Sequence, residues 1–287
     1  MPFTLSHPAA VLPLMRRPFG RAALVAGAVA PDMPYFVGTT GLPVSARSWY
    51  EPFVNATTSH TALGAVTVSL PYALALWALL RAGHRPSASL LPISGPPPPP
   101  RTAGTRARRA GWIVLSALIG IATHLAWDAF THHDGFFVTH APWLTSPLVG
   151  SLTWARALQH ASTIGGLAVT AVYVWRRRAR LLTGKGRTGP GIATRGFVVL
   201  AVTLLTVVGA VAHAWWLAGT QSTTTGPPLG VTIEGVLSDA AKGAGVALIG
   251  VGVLSMTGWW IRYAVTPLRP SGSTAGTAGK SPYEEGR

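Results

Sequence analysis

The chain has 287 residues, of which 48% are hydrophobic and only 11% charged, and its formal net charge is +15. A soluble domain carries roughly 25% charged residues, so this composition excludes an ordinary water-soluble fold and points to a polytopic membrane protein. The chain has no cysteine, which excludes disulfides and thiolate metal sites.

The amino-terminal stretch MPFTLSHPAAVLPLMRRPFGRAALVAGAVAPDMPYF lacks the form of a cleavable signal peptide, because its basic cluster follows the first apolar run instead of preceding it. Two short apolar segments, Pro8 to Met15 and Ala22 to Ala30, flank the turn-like RRPFG. They predict a helical hairpin with His7 and Asp32 together at its open end. Each arm is short for a core of roughly 30 Å, so a re-entrant or interfacial hairpin is expected.

Four windows are long enough to span a bilayer: Thr61 to Leu80, Gly111 to Trp127, Phe197 to Gly219 and Gly243 to Ile261. Pro71 should kink the first of them without breaking it. A weaker fifth, Ala157 to Trp175, carries His160 and runs into the basic stop YVWRRRAR. The expected fold is all-α: a polytopic integral membrane helical bundle of about five transmembrane helices plus the hairpin. Residues 1–267 form one membrane-embedded domain. Within it, the Pro/Arg-rich residues 86–109 read as an extended cytoplasmic linker, and residues 268–287 as a disordered tail.

The positive charge is not spread evenly. Arg81, Arg85, Arg101, Arg106, Arg108 and Arg109 fill one connection, and Arg176, Arg177, Arg178, Arg180, Lys185, Arg187 and Arg195 fill another. No Lys or Arg occurs between Thr131 and Thr153 or from Leu217 to Ala241. Such alternation is a topology signal that places the basic loops and the C-terminus in the cytoplasm of a multi-pass cell-membrane protein. It accounts for the charge without a nucleic-acid partner and leaves membrane lipid as the expected one.

On this topology His60, His124, Asp128, His160, His213, Glu234 and Asp239 all fall at the extracytoplasmic ends of their helices, and of the nine histidines only His84 is assigned to the inner face. Ionisable residues in apolar helices are costly and mark functional sites. The densest signal is His124-Leu-Ala-Trp-Asp128: positions four apart share a helix face with Cβ atoms roughly 6 Å apart. That pair can hold a divalent first-row metal, Zn²⁺ above all, with His60, Asp32 and His7 as partners.

These same phrases carry a resemblance. PFTLSHPAAVLPL, GAVAPDMPYF, SHTALG and THLAWDAFTHHDG resemble the bacterial domain-of-unknown-function family 4184. Their order of His, Pro-Asp, Ser-His and HxxxD is similar to that of the membrane-bound metal-dependent hydrolases, and distantly to the zinc-dependent phospholipase C and single-strand nuclease fold. The resemblance implies metal ligation by His7, Asp32, His60, His124 and Asp128. It departs at Met33-Pro34-Tyr35, where the hydrolases carry a second acid and a His, so His132, His133, His140 or His160 are the candidate replacement ligands.

The implied chemistry is hydrolysis of a phosphoester or lipid-headgroup substrate at the extracytoplasmic face, with Asp32 orienting or deprotonating a metal-activated water. Arg47 and Arg156 are the cations placed to hold a phosphate, although an Arg at a helix end also snorkels to headgroups. Gly165 and Gly166 in LQHASTIGG favour small-residue helix packing over a Ser/His nucleophile. The competing functions are a metal or proton transporter, which needs polar groups at mid-depth, and a non-catalytic structural protein with a degenerate site. No partner protein is implied.

Overall fold

The computed structural model describes residues 3–38, 40, 42, 45–90, 102–181 and 233–265, with scattered positions between 196 and 215. The fold is predominantly helical, and its first element is the expected hairpin. A 3-10 turn at Thr4–Ser6 leads into α1 (Pro8–Val11), whose Pro8 occupies the first helical position, where a missing N–H costs nothing. The chain reverses and enters α2 (Arg21–Val29), followed by a 3-10 turn at Ala30–Asp32 and α3 (Met33–Gly38).

Far from lying on the bundle surface, α2 is its centre. Ala23, Leu24, Ala26, Gly27 and Ala28 are buried, and the Gly20 N–H at the start of α2 donates to Ser116 Oγ at 3.0 Å. A hairpin arm made of small residues allows neighbouring backbones to approach closely. A Cβ on Gly27 would meet the Ala117 carbonyl oxygen, and one on Gly120 would meet the Leu24 carbonyl oxygen and, at 2.7 Å, the Ala28 nitrogen.

Three short helices follow: α4 (Glu51–Val54), α5 (Ala56–Ser59) and α6 (Ala62–Gly64). Each of the last two has a side-chain cap. Asn55 Oδ1 accepts from Thr57 N at 2.9 Å, and Thr61 Oγ1 accepts from Gly64 N at 2.9 Å, satisfying donors that a helix start leaves unpaired. The two caps bracket His60. A π-helical segment at Ala65–Ser69 then leads into α7 (Leu70–Leu90). The irregularity expected from Pro71 falls in the turn preceding it, as the widened hydrogen-bond register of a π segment.

α8 (Ala103–Thr131) opens on a capping box between Thr102 and Thr105. The linker expected over 86–109 is therefore helical at both ends: α7 continues through Pro86 to Leu90, and the Arg- and Ala-rich segment from Ala103 is a good helix former that begins α8. Residues 91–101 lie outside the described ones. After α8 come α9 (Phe136–His140), α10 (Pro142–Thr145) and a two-stranded antiparallel ribbon, β1 (Pro147–Val149) with β2 (Leu152–Thr153). That ribbon qualifies the all-α expectation. α11 (Trp154–Leu181) and α12 (Ile233–Val265) complete the described helices.

Three stretches among the described residues are long and apolar enough to cross a membrane: Ala62–Ala88, Ala103–His140 and Lys242–Val265. The window Ala157 to Trp175 is helical within α11 but is not among them. Most of the window Phe197 to Gly219 lies outside the described residues, as do His213 and the tail 268–287. Glu234 and Asp239 fall in the first turns of α12.

The start of α11 braces the N-terminus. The Phe3 N–H donates to Thr163 Oγ1 at 3.1 Å, and a Cβ on Gly166 would meet Ser6 O at 2.7 Å. This is the small-residue packing expected of the ASTIGG segment.

Candidate metal centre

Three parts of the chain deliver the four members of the buried cluster. Asp32 comes from the turn after α2, His60 from the corner between two capped helices, and His124 and Asp128 from the last two turns of α8. His124 and Asp32 are fully buried, and Asp128 is 4% exposed. Arg81 and Arg85 lie toward the far end of α7 and Arg106, Arg108 and Arg109 at the beginning of α8. The cluster thus occupies the opposite end of these helices from the basic residues.

The ligand atoms of Asp32, His60, His124 and Asp128 all lie within 4.8 Å of one another. Asp128 Oδ2 is 3.2 Å from both His60 Nε2 and His124 Nε2. Asp32 Oδ1 is 3.4 Å from His124 Nε2 and 3.7 Å from His60 Nε2. None of these contacts forms a hydrogen bond: the Nε2 atoms of His7, His60 and His124, Asp32 Oδ1 and both Asp128 oxygens are buried without a hydrogen-bond partner. Leaving such atoms unsatisfied costs about 1–3 kcal/mol each, and more when charged, and native structures rarely do so in groups.

The outer edges of Asp32, His60 and His124 are engaged. Nδ1 of His60 lies 2.7 Å from Ala56 O, and Nδ1 of His124 lies 2.7 Å from Ala28 O. A carbonyl oxygen can only accept, so both Nδ1 atoms carry a hydrogen, and in the neutral rings the Nε2 lone pairs face the centre. Thr4 Oγ1 donates to Asp32 Oδ2 at 2.7 Å, leaving Oδ1 to face inward. Outer partners that fix tautomer and carboxylate orientation in this way are the usual surroundings of a metal ligand set. Ligand atoms about 2.0–2.2 Å from one ion lie roughly 3–3.6 Å apart, close to the 3.2–3.7 Å that separates these carboxylate oxygens from the two Nε2 atoms. The donor set of two imidazoles and two carboxylates fits a divalent ion, which would also neutralise two carboxylates otherwise buried without a cation.

Thr4 gives a direct test. Thr4→Val removes the hydroxyl while keeping the shape, and it should weaken metal binding about tenfold, read by competition with a chromophoric chelator. Unchanged affinity would show that Asp32 needs no such support.

His7 stands beside this group. Its ring stacks on His124 with centroids 3.7 Å apart, and its Nε2 lies 3.8 Å from Asp128 Oδ1. Burial pushes the His7 imidazole down to about 4. In the unfolded chain it would titrate near its ordinary 6.5, so as pH falls the unfolded state takes up the proton first. The contribution of His7 to stability should therefore be flat above about pH 6.5 and decline from there toward pH 4, a slope that His7→Gln should reduce in melting measurements across pH.

The remaining predicted site residues separate into two groups. His132 is close: its ring lies 6.2 Å from that of His60, its Nδ1 is 2.8 Å from Asp134 Oδ1, and its Nε2 is buried without a hydrogen-bond partner. Together with His133 and Asp134 it makes a second, more exposed group of metal-competent atoms. His133 is exposed, and His140 is spent on Phe136, whose carbonyl accepts from its Nδ1 at 2.8 Å. His160 is half-buried on α11, and Arg47 is exposed in the connection before α4. Arg156 is exposed at the start of α11 on the wall of a cavity beside His132.

One residue escaped sequence reasoning. Tyr35, at the departure from the hydrolase pattern, has its ring 6.3 Å from that of His60. Burial, followed by Asp32 and Asp128, pushes its phenol up to about 12. It is a neutral phenol beside the cluster.

No curated protein and no solved structure matches this chain. Residues 1–262 match a single family throughout, and the chain belongs to that family, described as Domain of unknown function (DUF4184).

Proposed function

We propose that this chain is a membrane-bound, metal-dependent hydrolase acting on a phosphoester or lipid-headgroup substrate, with its site at the extracytoplasmic face. The observation that carries the reading is the convergence of six buried, unpartnered donor atoms, with Asp32, His60 and His124 held from outside by hydrogen bonds and His7 stacked on His124. The order of His7, Asp32, His60 and HxxxD, similar to that of the membrane-bound metal-dependent hydrolases, supports the reaction class. Placement of the cluster at one end of the helices supports a site reached from a membrane surface over a path through the bilayer.

His60, His124 and Asp128 would hold the ion, Zn²⁺ by donor type, as three protein ligands of an open catalytic site. Bound there, the ion would supply Lewis acidity and a water of lowered pKa. Asp32 is within reach of the same ion, but its Oδ1 is farther from the two imidazoles than Asp128 Oδ2 is. It accepts the proton of the attacking water at Oδ1, while Thr4 holds Oδ2 and prevents rotation. Tyr35 donates its phenolic hydrogen to an oxygen of the bound ester. His7 packs on His124 and keeps its imidazole face dry.

Hydrolysis of bis(p-nitrophenyl) phosphate and of short-chain phospholipids by the detergent-purified protein tests the reading. Activity should vanish on chelation and return with Zn²⁺ or Mn²⁺. Asp32→Asn should lose at least about a hundredfold in rate when assayed with enough added Zn²⁺ to saturate it. Hydrolysis indifferent to both chelation and Asp32→Asn would refute the mechanism.

A further inference from the structure

Between the end of α8 and the start of α11 lies a cavity of about 480 Å³. Its walls include Thr131, His132 and His133 from the α8 end, and Thr153, Arg156 and Gln159 from the α11 side. Among the described residues, no acidic one lines it. Hydroxyls, an amide, two imidazoles and one guanidinium make a lining rich in hydrogen-bond donors, with Arg156 as its fixed positive charge. The volume is in the range of small-ligand sites.

The cavity also adjoins the buried cluster. Thr131 is one helical turn beyond Asp128, and His132, on the cavity wall, has its ring 6.2 Å from that of His60. His132 is oriented by Asp134 through Nδ1 at 2.8 Å, while its Nε2 is buried without a hydrogen-bond partner. A group seated in this cavity therefore lies next to the atoms that would act on it.

Resting on the hydrolase reading, we infer that this cavity binds the phosphate group of the substrate, with Arg156 as the anchoring cation and His132 as a second donor facing the cluster. The substrate class is then a phosphate ester that presents a full or partial negative charge to Arg156. A neutral carboxylic ester or amide has no counterpart to the guanidinium. Arg47, in the connection before α4, has no part in this site. The phosphate could be a free ester or a lipid headgroup, and the exposed aromatics Phe136, Trp143 and Trp154 nearby favour the second source.

The test is binding of inorganic phosphate, and separately of dihexanoyl phosphatidic acid, to the full chain in detergent, followed by ³¹P NMR before and after metal removal. Arg156→Gln should weaken phosphate binding roughly tenfold or more without changing metal content or melting temperature, and Arg47→Gln should leave binding unchanged. Tighter binding of the phosphatidic acid, equally dependent on Arg156, identifies a headgroup; equal affinities identify a soluble ester. Wild-type affinity in metal-loaded Arg156→Gln would overturn the cavity assignment and leave the metal centre standing. A wild type that holds no metal yet binds phosphate through Arg156 would remove the hydrolase reading and leave the anion cavity.

Discussion

Asp128→Ala and His124→Ala should each lower metal affinity by more than a hundredfold and yield protein purified nearly free of metal. The expectation follows from the position of Asp128 Oδ2, 3.2 Å from the Nε2 of both His60 and His124. Loss of an outer-shell partner typically costs about 10–100-fold in affinity, and loss of a ligand atom costs more. His124 has a second role, because its Nδ1 is tied to Ala28 O at 2.7 Å and so joins α8 to the centre of the bundle. His124→Ala should therefore also reduce thermal stability, whereas Asp128→Ala removes a buried charge and should leave the metal-free protein as stable as the wild type or more so. Equal metal content in wild type and both variants would contradict the assignment.

Gly120→Val should have the largest effect on folding. The α2 and α8 backbones are so close that a Cβ on Gly120 meets the Leu24 carbonyl oxygen, the Ala28 nitrogen at 2.7 Å and Gly27 C at 2.9 Å. These are backbone atoms in the interior of a helix and cannot rotate away. Relief requires the two helices to separate, opening the packing of Leu24 and Ala28 on one side and Ala117 and Ile121 on the other. Overpacking of this kind costs about 3 kcal/mol or more. Because the same approach sets the Ala28 to His124 bond, the variant should lose metal together with stability. A melting temperature within 2–3 °C of wild type, roughly what 1 kcal/mol shifts in a chain of this size, would show that the helices are not held so closely in solution.

Much of the centre was legible because it is built from local spacing and from sorting. His124 and Asp128 share a face by helical period alone, the alternation of basic and non-basic connections grouped His60 with them, and Asp32 joined them as a partner from the open end of the hairpin. The hairpin was legible from the turn-like RRPFG between apolar runs. What escaped reading depends on contacts between elements distant in sequence. Nothing in the residue pattern says that Thr4 would reach Asp32, or that Ala28 and Ala56 would offer carbonyl oxygens to imidazoles, because backbone acceptors exist at every position. The burial of α2 at the centre was hidden for a related reason: small residues read as a short, weak span, while their use is to let α8 approach. Tyr35 was passed over because it stands where the hydrolase pattern has another residue type, and only the fold places its ring beside His60. The helical ends of the 86–109 linker were obscured by prolines that dominate its composition but do not interrupt α7 at Pro86.

The central claim is that Asp32, His60, His124 and Asp128 form a metal centre, and elemental analysis of the wild-type chain purified in mild detergent tests it most directly. The account predicts about one divalent metal ion per chain, removed by chelator and restored by added Zn²⁺. Protein that purifies without metal and takes up none from added Zn²⁺ or Mn²⁺ would contradict it.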